Sequence, residues 1–141
     1  MPPEVDELVR FLRTLIRFNT TNPPGEEIAA ARFIEKVFKS EGIETLILSP
    51  APGRANVVAR LKGNGAKKPL LLMSHLDVVD TEGQNWSFPP FSAELNGGCI
   101  WGRGALDCKN STALWMSLML RLKRDSLPLN RDIIFLATAD E

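Results

Sequence analysis

The sequence predicts an α/β domain in which layered helices lie around a mostly parallel or mixed central sheet. Three observations carry that prediction. Apolar residues recur at helical spacing through the first part of the chain. The period then shortens to brief β-branched and apolar runs bounded by proline and glycine. One strongly apolar helix interrupts those runs before a last strand, an order that suits a layered α/β fold.

The elements follow in turn. Over 4–17, Val5, Leu8, Val9, Leu12, Leu15 and Ile16 share one helical face. Thr20-Thr21-Asn22-Pro23-Pro24-Gly25 then stops the helix, because proline has no amide hydrogen for a helix interior. A second amphipathic helix is predicted over about 25–41, with Ile28, Ala31, Ile34, Val37 and Phe38 inward and Gly42 at its end. Residues 43–48 and 55–61 are short β-branched segments, bounded by Pro50-Ala51-Pro52-Gly53 and Gly63-Asn64-Gly65. Residues 69–74 are apolar almost throughout and are expected to form a fully buried strand, as in sheets covered on both faces. Ala93-Glu94-Leu95 and Cys99-Ile100-Trp101 flank Asn96-Gly97-Gly98 as a small hairpin. Residues 111–123 form a helix apolar nearly all round, which calls for cover on several sides. Residues 132–137 make the last strand, with Ile133, Ile134, Phe135 and Leu136 contiguous. There is no internal repeat or low-complexity linker.

At 141 residues the chain is the size of one ordinary domain, and 44% hydrophobic with 24% charged residues is a globular composition. Seventeen basic residues balance seventeen acidic ones, so no global field draws the protein to nucleic acid or to an anionic membrane. Any binding must come from a local site. Cys99 and Cys108 offer no disulfide framework and no paired zinc motif; they read as small buried hydrophobes of a reducing compartment. The N-terminal stretch Met1-Pro2-Pro3-Glu4-Val5-Asp6 is acidic and lacks the apolar core of a secretory signal, so a cytoplasmic location is expected. No apolar run is long enough to span a bilayer.

The chemistry is concentrated at the ends of the apolar segments. His75, the only histidine, and Asp77 follow the run Leu70-Leu71-Leu72-Met73. Asp107 closes Gly102-Arg103-Gly104-Ala105-Leu106-Asp107, and Asp140-Glu141 follow the last strand. Ligands in open α/β sheets gather beyond the carboxyl ends of the strands. Two residues apart on extended backbone, His75 and Asp77 point the same way, so the carboxylate can take the proton on one ring nitrogen while the other nitrogen binds a metal. Each signal alone is weak, since an aspartate before a helix is commonly an N-cap. Their shared placement, in an order that lets the ends converge, is what points to a metal site. Gly102 and Gly104 fit a close approach of backbone to that site, with Arg103 either buttressing acidic neighbours or solvated. The Trp86–Phe91 loop reads as cover over a sheet edge. A dinucleotide or phosphate site at Gly102-Arg103-Gly104 lacks both the third glycine and a Gly-Lys-Ser/Thr sequence.

Four motifs together resemble a known family. They are Met73-Ser74-His75-Leu76-Asp77-Val78-Val79, Trp86-Ser87-Phe88-Pro89-Pro90-Phe91, Trp101-Gly102-Arg103-Gly104-Ala105-Leu106-Asp107-Cys108-Lys109 and Ala137-Thr138-Ala139-Asp140-Glu141. In order and spacing they resemble the co-catalytic zinc aminoacylase and carboxypeptidase G family, which includes acetylornithine deacetylase, succinyl-diaminopimelate desuccinylase and several dipeptidases. The similarity runs over nearly the whole chain, from Asn19-Thr20-Thr21-Asn22-Pro23 onward. One departure is Asn110, where many relatives have glycine.

The resemblance implies a zinc-dependent amide hydrolase acting on N-acyl amino acids or peptides. His75 then matches a zinc ligand and Asp107 the aspartate bridging two zinc ions, which cobalt or manganese can replace. Asp77 matches the carboxylate behind His75, and Glu141 the general base that takes a proton from the water between the metals; these two form the catalytic pair. The second glutamate of the acidic motif, a later acidic ligand, a C-terminal histidine and an inserted lid domain have no counterpart in residues 1–141. The chain is therefore expected to be the N-terminal part of the catalytic domain. A small-molecule or peptide substrate, no nucleic acid or membrane partner, and a possible homodimer of the intact protein complete the expectations. The competing reading is a truncated or non-catalytic relative, acting as a binding or structural module.

Overall fold

The computed structural model describes residues 3–141; the start of the acidic N-terminal stretch, Met1 and Pro2, lies outside them. Helices α1 (Pro3–Arg17) and α2 (Ile28–Ser40) come first, followed by strands β1 (Glu44–Leu48), β2 (Asn56–Leu61) and β3 (Leu70–His75). A hairpin of β4 (Glu94–Asn96) and β5 (Cys99–Trp101), helix α3 (Lys109–Arg124) and strand β6 (Ile133–Thr138) complete the order. The main sheet runs β1-β2-β6-β3. Its β3/β6 pair is parallel and its other two pairs are antiparallel, so the mixed alternative is the observed one. Glycine chemistry sets the breaks as expected: Gly42 closes α2 at φ +66°, and Gly97 and Gly98 both take positive φ in the two-residue hairpin turn.

The core lies between one face of the sheet and the helices. Val57, Ala59, Leu72, Ile133, Phe135 and Ala137 meet Phe38 and Ile34 of α2 and Met116, Met119 and Leu120 of α3. Phe38 and Phe135 sit edge to face with ring centroids 5.1 Å apart, both wholly buried. Each such ring contributes about 1.5–3 kcal/mol by burial alone. On α1, Phe11 joins the core against Phe33, whereas Val5, placed inward by spacing, is exposed. Val5, in the first turn of α1, lines an open hollow with Leu8 and with Leu114 and Leu118 of α3 and does not enter the core.

The strand over 69–74 corrects the expectation of full burial. Strand β3 is an edge strand paired only with β6, and Leu70, Leu71 and Met73 are exposed while Leu72 and Ser74 are buried. The helices cover one face only, so period-two alternation sends Leu71 and Met73 to the open face, whereas Leu70, in register with Ile133 on the covered side, is exposed at the start of the strand. Leu46 and Leu48 of β1 emerge on that same open face. Helix α3 departs in the same sense: Ala113, Met116, Met119 and Leu120 are buried, Trp115 and Leu118 are partly covered, and Leu114 is exposed. The cysteines are another correction. Both are free, as expected, but Cys99 is exposed on its two-stranded hairpin and Cys108 is only half-buried.

Parallel pairing of β3 with β6 sets His75 opposite Thr138, so both strands end side by side. The Leu76 amide extends that ladder to the Thr138 carbonyl at 2.8 Å. On the other flank, residues 20–22 run beside the stretch after β3. The Asn22 amide donates to the Val78 carbonyl (2.9 Å), the Val78 amide to Thr20 (3.1 Å), and the Thr20 hydroxyl to the Leu76 carbonyl (2.6 Å). Gly102 makes the close approach its type suggested, although against scaffold: a Cβ there would lie 2.6 Å from Ile16 Cγ2 and 3.0 Å from the Pro90 carbonyl oxygen.

Candidate metal centre

The three predicted groups converge at the carboxyl ends of β3 and β6. His75 Nε2 lies 3.0 Å from Asp107 Oδ1 and 3.5 Å from Glu141 Oε2. His75 is brought there by the last residue of β3, Glu141 by the three residues after β6, and Asp107 by the turn that enters α3. Asp107 does not cap that helix; Cys108 holds the cap position. The aspartate and glutamate are open to solvent while the imidazole is largely enclosed, so the cluster has a covered back and an open front.

Behind the imidazole, Nδ1 is 3.0 Å from the Asp77 carbonyl oxygen and 3.5 Å from its carboxylate Oδ1. The backbone carbonyl, rather than the carboxylate, is thus the hydrogen-bond acceptor for Nδ1–H. That leaves Nε2 as the outward lone pair in the neutral ring. Burial opposes a charge on His75, but the Asp107 hydrogen bond, the Asp77 carbonyl and the Glu141 and Asp77 charges outweigh it and raise its pKa above the ordinary imidazole value. The Asp77 carboxylate is buried; Oδ2 accepts from Asn22 Nδ2 at 3.2 Å, and Oδ1 has no partner.

A cation fits this donor set. An imidazole nitrogen with carboxylate oxygens at 3.0 and 3.5 Å is a donor set of the kind that divalent transition metals take. The Cys108 sulfur also falls within 4.8 Å of His75 and Asp107 ligand atoms. Its sulfur accepts from the His75 amide at 3.4 Å, and burial raises the thiol pKa, so it serves the backbone of the site as a neutral group.

Several polar residues around the site had no role assigned from the sequence, although Lys109 ends one of the four motifs. Lys109 is fully buried under the site and donates from Nζ to the Phe18 carbonyl at 2.8 Å; burial lowers its pKa to about 8. Glu27 is fully buried and accepts from Arg54 Nε at 2.8 Å. Arg54 Nη2 donates onward to the Ala139 carbonyl (2.7 Å) and to Asp140 Oδ1 (3.2 Å). A glutamate near a helix start and an arginine in a proline-glycine loop both resemble surface charges until the chain folds over them. Arg103 follows neither of its expected roles: its guanidinium stacks on Trp86, 5.3 Å from the ring centroid, and donates to Gln84 Oε1 at 2.9 Å. Phe88 meets Trp101 edge to face, so the Trp86–Phe91 loop packs on the hairpin.

Comparison with known proteins agrees with this geometry. The profile described as Peptidase family M20/M25/M40 matches residues 71–141, half of the chain. An N-formyl-4-amino-5-aminomethyl-2-methylpyrimidine deformylase of Halalkalibacterium halodurans is 33% identical over 96% of the chain, and a probable succinyl-diaminopimelate desuccinylase of Staphylococcus aureus is 34% identical over 96%. The chain spans about a third of the length of these relatives. Among solved structures, an M20 family metallo-carboxypeptidase of Sulfolobus solfataricus superposes with a TM-score of 0.78 at 25% identity, over the whole of this chain and 31% of its own. A dinuclear metal-binding M20 peptidase of Bacillus subtilis shares the fold, with a TM-score of 0.69 at 18% identity over 98% of this chain and 36% of its own. With a profile match that begins inside β3 and runs through the whole convergent cluster, this chain belongs to Peptidase family M20/M25/M40.

Proposed function

We propose that the chain is the N-terminal part of the catalytic domain of a zinc-dependent hydrolase that cleaves amide bonds of N-acyl amino acids or peptides. The observation that carries this reading is the meeting of His75 Nε2, Asp107 Oδ1 and Glu141 Oε2 beyond the ends of two adjacent parallel strands. His75 and Asp107 would hold metal. A pair of divalent ions supplies Lewis-acid polarisation of the scissile carbonyl and lowers the pKa of water. Zinc suits a mixed imidazole and carboxylate set, and cobalt or manganese suits it chemically as well.

The chain's own groups divide the remaining work. The Asp77 carbonyl keeps the proton on Nδ1 and so presents Nε2 as a neutral ligand. Asp107, exposed and with two oxygens, can serve two ions at once and offset their repulsion. Glu141 accepts a proton at its carboxylate and returns it to the leaving amine. The zero net charge of the chain supports a small-molecule or peptide substrate over nucleic acid. Among the described residues no helix is long and apolar enough to cross a membrane. Two free cysteines suit the cytoplasm, and the open apolar face of the sheet suits a longer or dimeric protein.

The test uses the polypeptide of the complete reading frame, loaded with zinc and assayed on N-acetyl and N-succinyl amino acids and on dipeptides. Glu141→Gln is expected to lose turnover about 10²–10⁴-fold while keeping its metal, the range of general-base catalysis. Asp107→Ala is expected to lose metal and activity together. Equal metal loss in both variants by elemental analysis, or no hydrolysis with zinc, cobalt or manganese, would overturn the reading.

A further inference from the structure

The segment that carries Glu141 is fixed as far as Ala139, which is buried and donates its amide to Asn56 Oδ1 at 2.9 Å, and needs further anchors beyond it. Strand β6 ends at Thr138, and the Leu76–Thr138 hydrogen bond is the last rung of its ladder with the β3 side. Asp140 and Glu141 are both exposed, so burial does not fix them. Yet proton transfer by a carboxylate needs it within about 2.6–3.2 Å of its target.

Two anchors from distant parts of the chain converge on Asp140. The first starts at Glu27, whose Oε2 holds Arg54 Nε at 2.8 Å and whose Oε1 is buried without a partner. Arg54 Nη2 then grips both the Ala139 carbonyl and Asp140 Oδ1. The second is Asn22. Its amide nitrogen carries two protons, one directed to Asp77 Oδ2 (3.2 Å) and the other to Asp140 Oδ1 (2.6 Å). Asn22 is itself tied by backbone to Val78, in the stretch that positions His75. One side chain therefore couples the carboxylate behind the imidazole to the residue before Glu141. The bonds from Asn22 and then Arg54 hold the Asp140 pKa below its usual value, as expected of a carboxylate fixed in its charged form.

We infer that Asn22 and Arg54 are positioning residues for Glu141, holding Asp140 in register with Asp77 so that the glutamate faces the same space as His75 Nε2. This rests on the role of Glu141 proposed above. Neither residue touches the reacting atoms; each acts through Asp140. A displacement of about 1 Å in a catalytic group can lower turnover about a hundredfold. A wholly structural role would instead lower stability or metal content and leave the turnover of each folded, loaded molecule unchanged.

The test begins with Asn22→Ala in the polypeptide of the complete reading frame; because this also removes the hydrogen bond to the buried Asp77 Oδ2, kcat is read per folded, metal-loaded molecule. The expected result is a kcat reduced between about ten- and a hundredfold, with KM within twofold and metal content unchanged. Arg54→Ala leaves Glu27 unpaired and can fail to fold, so Arg54→Lys is the second variant. It keeps a cation beside Glu27 but has one nitrogen where Arg54 uses Nε for Glu27 and Nη2 for the Ala139 carbonyl and Asp140, and its kcat is expected to fall as well. The activity-independent measurement is the ¹⁵N heteronuclear NOE of the Asp140 amide, expected to drop in Asn22→Ala. A kcat within twofold of the parent, a fall in metal content, or an unchanged NOE overturns the inference. A parent with no hydrolytic activity sinks the proposed function, while the drop in NOE still upholds the positioning of this segment.

Discussion

Raising the pH should stabilise this protein over a window set by one residue, Lys109. Its side chain is fully buried at the start of α3, with Nζ on the Phe18 carbonyl, and burial lowers its pKa from 10.5 to about 8. Between those values the folded chain has released the proton and the unfolded chain still holds it. The unfolded state therefore binds more protons, and stability rises with pH. The gain starts near pH 8 and is complete above the unfolded value of 10.5. At about 1.4 kcal/mol per pH unit of separation, the rise from pH 7 to 10.5 is about 3 kcal/mol. With a urea m-value of about 2 kcal/mol/M, the unfolding midpoint moves by about 1.5 M. Cys108 acts in the opposite direction at high pH, because burial raises its thiol pKa. Lys109→Met keeps that cysteine and removes the lysine, so the difference between the two proteins isolates the lysine. The assay is urea unfolding of both, followed by far-ultraviolet circular dichroism from pH 7 to 10.5. The Met variant should be as stable as the parent or more so at pH 7, and its difference from the parent should change by about 3 kcal/mol across the window. Parallel curves for the two proteins would refute the burial of a charged lysine.

Other expectations follow from single contacts. Gly102→Ala should destabilise by about 1–3 kcal/mol, the range for overpacking, because its Cβ would meet Ile16 Cγ2 at 2.6 Å; an unchanged urea midpoint would show that the α1 contact yields freely. Met73→Lys, on the open sheet face where Met73 is 59% exposed, should reduce self-association in sedimentation velocity and leave the unfolding free energy within about 0.5 kcal/mol of the parent. The 141-residue chain alone should bind zinc weakly and show no hydrolysis of N-acetyl amino acids, since a catalytic zinc site wants about three protein donors for each ion. Tight calorimetric binding of two zinc ions would contradict that expectation.

Helical periodicity, contiguous apolar runs and proline-glycine breaks together located the helices and strands to within a few residues, because burial and backbone geometry constrain which residues can occupy each element. Placement after apolar runs singled out His75, Asp107 and Glu141, since a strand end is where a sheet can present side chains that its own ladder does not use. The tertiary structure decided the rest. That β3 is an edge strand, and that the sheet is covered on one face, depends on strand order, and an apolar run reads alike in an edge and a central strand. The partner of His75 Nδ1 turned out to be the Asp77 carbonyl, which no residue pattern encodes. Asn22 and Lys109 stand within the segments that carry the resemblance without a role of their own, and Glu27 and Arg54 carry no signal, because charge and amide groups have no period. Only the fold brings together segments as far apart as Asn22 and Asp140, and only there does leaving a buried carboxylate such as Glu27 unpaired become costly enough to make its arginine necessary.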